Sequence, residues 1–107
     1  MRRFHISISV SDFTAALADY SQRLQAEPVI VSEGRYAQWQ TDCLNFTISC
    51  KPAQEAGQVR HIGFEDDSAS GMREEVDTAG ITWEYFHPDA QKDEVCKKFP
   101  NAVVKAR

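Results

Sequence analysis

Long apolar runs are missing from this sequence. Nothing in it reaches the roughly 20 consecutive apolar residues that a membrane-spanning helix needs. The chain opens Met1-Arg2-Arg3, but Ser7, Ser9, Ser11 and Asp12 interrupt the stretch after it, so the unbroken apolar core of a signal peptide is not read there. Cysteine is scarce. Cys43, Cys50 and Cys96 form no CxxC and, being three, cannot all pair; a disulfide framework is excluded and a reduced, cytoplasmic protein is expected. Basic charge is short as well, with 12 Lys and Arg against 16 Asp and Glu for a net −4. The cations are scattered apart from Lys97-Lys98. Binding to a phosphate backbone relies on clustered cations, so neither nucleic acid nor membrane is expected as a partner. There is no Gly-rich phosphate loop and no G-x-S-x-G elbow, and no organic cofactor is expected. What remains is globular: 42% apolar and 26% charged residues over 107 positions exclude disorder and predict one domain with one core.

The clearest element is a strand over residues 3–10. Phe4, Ile6, Ile8 and Val10 alternate with His5, Ser7 and Ser9, the period of a strand with one buried face. Ser11 and Asp12 can cap a following helix. In that helix Phe13, Ala16, Leu17, Tyr20 and Leu24 form one stripe, and Pro28 is expected to end it. Three short strands come next: Val29–Val31, Tyr36–Thr41 and Leu44–Cys50. The last two set Gln38 and Gln40 against Ala37 and Trp39, and Asn45, Thr47 and Ser49 against Leu44, Phe46, Ile48 and Cys50. A polar loop over 52–58, with Pro52 and Gly57, separates module one (1–51) from module two (59–107). The pattern then restarts with a strand over Arg60–Glu65. Met72, Val76 and Ala79 predict a second amphipathic helix stopped by Gly80. Ile81–Phe86 reads as a strand, Pro88 to Phe99 as a short helix with Lys97 and Lys98 at its negative end, and 101–105 as a last strand. The order is βαβββ followed by a shorter βαβ, an α+β arrangement.

Collecting the non-apolar faces gives His5, Ser7, Ser9, Gln38, Gln40, Asn45, Thr47, Ser49, His61, Glu65 and Glu84. An antiparallel sheet can leave one face wet, and plain solvent exposure accounts for such a face too. This set, however, is mostly small or uncharged and holds two of the three histidines. Two imidazoles and a carboxylate are a common ligand set for divalent zinc, iron, manganese or nickel. By parity His5, His61 and Glu84 share a face, and their convergence depends on tertiary structure. His87, beside Pro88, reads as a turn histidine. Glu65-Asp66-Asp67 reads more simply as a solvated strand end than as a calcium cluster. Trp39, Phe46, Phe64, Trp83 and Tyr85 are expected in the core.

The segments Arg3-Phe4-His5-Ile6-Ser7-Ile8-Ser9-Val10-Ser11-Asp12-Phe13, Ala26-Glu27-Pro28-Val29, Gly34-Arg35-Tyr36-Ala37, Leu44-Asn45-Phe46-Thr47-Ile48-Ser49 and His61-Ile62-Gly63-Phe64-Glu65, in that order, resemble the vicinal oxygen chelate superfamily. That group includes glyoxalase I, bleomycin-resistance proteins and extradiol dioxygenases, and the nearest likeness is to its small single-domain cadmium- and arsenic-inducible members. The likeness covers about the first 86 residues. It implies paired βαβββ modules curling into a half-barrel cleft, the second module truncated here. It also implies that His5 and His61 stand at metal-ligand positions. Asp77-Thr78-Ala79-Gly80-Ile81-Thr82-Trp83-Glu84 looks like the family's Asp-Pro-x-Gly-x-x-x-Glu segment, which makes Glu84 the third ligand. Gln25 stands where the family commonly has Gly, and Asn45 and Thr47 occupy the inward positions of the fourth strand.

The resemblance implies a metal-dependent enzyme whose ion (Fe, Zn, Ni or Mn) would take two neighbouring oxygens of a small substrate, with Glu65 as a nearby catalytic base. The alternative is a resistance-type binder without metal or catalysis, its pocket lined by Gln38, Gln40, Asn45 and Thr47. A shortened second module leaves a sheet edge exposed, and a homodimer is expected to cover it.

Overall fold

The computed structural model describes residues 1–105. They form eight strands in one open mixed sheet and two α-helices, an α+β fold. The elements run β1 (Arg2–Val10), α1 (Phe13–Leu24), β2 (Ile30–Ser32), β3 (Tyr36–Gln40), β4 (Leu44–Cys50), β5 (Val59–Asp66), β6 (Met72–Val76), β7 (Thr82–Phe86), α2 (Pro88–Lys98) and β8 (Val103–Val104), with a short 3-10 turn at Ala53–Glu55 in the polar loop. Across the sheet the order is β6-β7-β5-β1-β4-β3-β2-β8. β1 lies at the centre, parallel to β4 on one side and antiparallel to β5 on the other. Neither α1 (12 residues) nor α2 (11 residues) is long and apolar enough to cross a membrane.

The alternation of the first strands is realised on both faces. On one, Ala37, Trp39 and Ile48 are completely buried with Val10, Phe13 and Phe46, and the stripe Ala16-Leu17-Tyr20-Leu24 of α1 packs against them. Asp12 starts α1 by accepting from the Ala15 N–H at 3.1 Å, and the Trp39 indole donates to Ser21 Oγ at 3.1 Å, so this core leaves no indole donor unpaired. The helix stops before Pro28. Its last carbonyls are met at Gln25, which takes the left-handed conformation at φ 52°, the geometry a glycine adopts most easily.

On the other face lies α2. His87 caps it by accepting from the Asp89 N–H at 3.0 Å, and Pro88 opens its first turn. Val95 and Phe99 pack on Ile30 and Tyr36 as a second apolar cluster. The first half of the sheet is thus covered by helices on both sides, and its polar face is buried: His5, Ser7, Gln38, Asn45 and Thr47 are all at most 3% exposed. Solvent exposure does not account for that face.

Two expectations fail in the second half. Residues 72–76 are a strand, β6, not a helix; it pairs antiparallel with β7. The chain around it is made of turns. Asp66 accepts from the Ser68 N–H and hydroxyl, and Asp77 accepts from the Ala79 and Ile81 N–H groups, folding Thr78–Gly80 into a hairpin turn with Gly80 at φ 84°. The side-chain hydrogen bonds of these aspartates compete with helix formation, and the glycine serves a hairpin instead of a helix end.

Among the described residues no helix lies behind β5 and β7, and Phe64, Trp83 and Tyr85 are only half-buried instead of core. They stack on one another at 6.2–6.5 Å between centroids. Arg2 lies over Phe64 and Arg73 over Tyr85, at 3.9 and 4.2 Å, so guanidinium groups partly cover the rings.

Candidate metal centre

Strand register brings three donors from distant parts of the sequence to one point. His5 of β1 pairs with Gly63 of β5, and Gly63 with Glu84 of β7. His61, two residues before Gly63, turns its ring toward the same row. An ideal Cβ on Gly63 would stand 1.8 Å from the Glu84 carbonyl oxygen, so only glycine lets β7 approach β5 this closely.

The His5 and His61 Nε2 atoms are 3.0 Å apart; Glu84 Oε1 is 3.2 Å from His61 Nε2 and 3.9 Å from His5 Nε2. The circle through three atoms so spaced has a radius of about 2.0 Å, the bond length of zinc to imidazole nitrogen and carboxylate oxygen. A single point is therefore within bonding distance of all three donors. The set of two nitrogens and one oxygen also suits iron, nickel or manganese.

The protonation pattern agrees with this. Asn45 Nδ2 donates to Glu65 at 2.7 Å and to Gln91 Oε1 at 2.8 Å, which leaves its Oδ1 to accept from His5 Nδ1 at 2.9 Å. The Asn45 carbonyl, 3.2 Å from the same nitrogen, is also an acceptor. His5 thus carries its proton on Nδ1 and turns the Nε2 lone pair toward His61 and Glu84, the arrangement in which a second residue fixes the tautomer of a metal ligand. Burial lowers the His5 pKa against the raising effect of the Asn45 hydrogen bonds and the Glu65 charge. Burial, followed by the neighbouring His5, Arg60 and Lys98, holds His61 down to about 4. Both rings are neutral at neutral pH, as ligation demands. Burial, a hydrogen bond donated to Glu74 and the charges of Glu74 and Glu94 push Glu84 up to about 7 against the lowering charge of Arg60, as expected of a carboxylate crowded by others.

The donors open onto a cavity of about 260 Å³ whose walls include Thr47, Ser49, Arg60, Glu74 and Lys98. Of the four residues expected to line a pocket, Thr47 reaches this cavity, while Gln38 and Gln40 line a separate, smaller one beneath the start of α2. Gln38 accepts from the Tyr36 hydroxyl and donates to Gln91, Gln40 donates to Glu65, and Asn45 is engaged by His5, Glu65 and Gln91. Glu65, expected as a catalytic base, is also elsewhere. It is buried, ion-paired with Arg3, and accepts from Gln40 and Asn45, an anchor for the network beneath α2. A carboxylate so engaged does not reach the cavity.

Several residues at the site escape sequence reasoning. Gln91 and Lys98 lie on α2, whose position over the polar face no periodicity announces. Glu74 lies on the strand that reads as a helix. Arg60 falls on the wrong side of the alternation. The chain matches no family model, and no curated protein is similar to it.

Proposed function

We propose that this chain is a metal-dependent enzyme of the glyoxalase and extradiol-dioxygenase type, acting on a small oxygenated substrate. The observation that carries the reading is the common point about 2.0 Å from His5, His61 and Glu84, within the range of zinc–ligand bonds. When bound there, a divalent ion would polarise two neighbouring substrate oxygens as a Lewis acid. The chain's own groups set up that chemistry: Asn45 keeps the His5 proton on Nδ1, Glu84 supplies the anionic donor, and Glu74, its cross-strand partner, shares a proton with it at the cavity wall.

The strand pattern supports two related modules. In each half the first strand lies parallel to the last (β1 with β4, β5 with β7), and the strand before the last pairs antiparallel beside it. In the second half a turn stands in place of the helix after the first strand, and its fourth strand, β8, pairs with β2 of the first half instead of its own, in keeping with a truncated module. The metal-free binder is less well supported, because Gln38, Gln40 and Asn45 are engaged under α2 instead of facing the cavity. The half-buried aromatic strip of the second half favours a homodimer; a dimer in sedimentation at micromolar concentration is expected, and a monomer would exclude it.

Elemental analysis of the purified chain, and of chain reloaded with Fe, Ni, Mn or Zn, tests the centre. One ion per chain, lost in His5→Ala and in His61→Ala, is expected. A chain that takes up none of the four sinks the proposal.

A further inference from the structure

Strict alternation along β5 would put Arg60 on the face opposite His61. The pairing with β1 breaks step at this point: Ser7 faces His61, and the next β1 residue, Ile8, faces Val59. Arg60 is the extra residue of a β-bulge, a device that re-aims a side chain. Its guanidinium is turned to the cavity, where Nη1 donates to Ser49 Oγ at 3.2 Å. Lys98, the last residue of α2, reaches the same cavity.

Among the described residues neither cation forms an ion pair. Carboxylates are at hand, yet they are not used for this. Glu94 stands one helical turn from Lys98 without pairing to it, and Glu74 is turned to Glu84. Two unpaired cations on the wall of one small cavity repel each other, and an anion seated between them removes that repulsion while accepting the guanidinium's fork of donors.

We propose that Arg60 and Lys98 form an oxyanion subsite beside the metal centre, so that the substrate carries a carboxylate or phosphoryl group in addition to the oxygens the ion takes. The assignment rests on the metal-dependent reading for the identity of the bound molecule as a substrate, and on the bulge and the unpaired cations for the subsite itself.

The test is calorimetric titration of the full chain, metal-free and metal-loaded, with inorganic phosphate and with acetate. Saturable one-to-one binding of at least one of them to the metal-free chain is expected, and the better ligand tells phosphoryl from carboxylate. Arg60→Ala and Lys98→Ala should each weaken it by about tenfold or more, the loss of one charge-assisted contact. Arg60→Lys should fall between, since a point charge replaces a fork. If Arg60→Ala fails to fold by circular dichroism, Lys98→Ala and Arg60→Lys still decide. Absence of saturable binding by the wild-type chain, or binding unchanged in the folded variants, overturns the subsite. Metal content measured on the same samples separates the two readings. A chain holding one ion but binding neither anion loses only the subsite. A chain that takes up no ion yet binds phosphate through Arg60 keeps the subsite and loses the metal centre.

Discussion

Replacing Asn45 with leucine removes the amide that joins α2, Glu65 and His5 while keeping the branched side-chain shape. Asn45 is completely buried. The variant loses one hydrogen bond to a carboxylate, worth about 1.5–3 kcal/mol, and three to neutral partners, worth about 0.5–1.5 kcal/mol each. Most partner atoms are not left bare, however. His5 Nδ1 keeps the main-chain carbonyl of residue 45 at 3.2 Å, Glu65 keeps Arg3 and Gln40, and Gln91 Oε1 keeps Gln38, while Gln91 Nε2 loses its acceptor. The loss therefore falls toward the low end, about 3 kcal/mol, partly offset by the added apolar burial. For a domain of this size that is a fall in Tm of roughly 10–20 °C. Because the amide also orients a metal ligand, zinc affinity should drop by about 10–100-fold. Thermal unfolding of the metal-free chain measures the first effect, and competition of zinc against a chromophoric chelator the second. A variant that is destabilised as expected but binds zinc within about twofold of wild type would refute the orienting role and leave Asn45 a packing residue only.

Two further outcomes are expected. Gly63→Ala drives a methyl group into the main chain of Glu84 and should break the β5–β7 pairing, costing about 3 kcal/mol or more; amide hydrogen exchange would show β6 and β7 unprotected and zinc binding lost, whereas intact protection of β7 would contradict the close approach. Glu84, with its pKa near 7, holds a proton that an ion must displace at lower pH. Zinc affinity should therefore fall about tenfold per pH unit below pH 7 and level off above it, steepening further as the histidines titrate, His61 near pH 4; affinity independent of pH between about 5.5 and 7 would be incompatible with Glu84 as a ligand.

How much of this is legible in the sequence depends on which contacts are local. Alternation over residues 3–10 predicts β1 and which of its faces is buried, since a strand's period needs no knowledge of its neighbours. The Asp12 cap and the stripe of α1 are equally local. The shared face of His5, His61 and Glu84 comes from the same parity, but their distances arise from the register set by Gly63, which no single strand contains. Reading residues 72–79 as a helix rests on three apolar positions at helical spacing, and the turn-forming Asp66, Asp77 and Gly80 outweigh them. Arg60 is hidden by a bulge, because a one-residue insertion inverts the face and leaves no mark on the pattern. Parity gives the face of Glu65 but not its neighbours, and the buried Arg3 holds it away from the cavity. The stacked Phe64, Trp83 and Tyr85 are legible as one face, and what covers that face is not.

The third donor rides on a lightly buttressed part of the molecule. The β6–β7 hairpin is attached to the rest of the sheet through β5 alone, has none of the described helices behind its aromatic face, and owes its shape largely to one aspartate turn. Opening such a unit is less costly than unfolding the core behind α1. Seating the hairpin and completing the triad are then one event. A ligand gripping His5, His61 and Glu84 together would act as a clasp between the centre of the sheet and its rim, and its release would free the rim first.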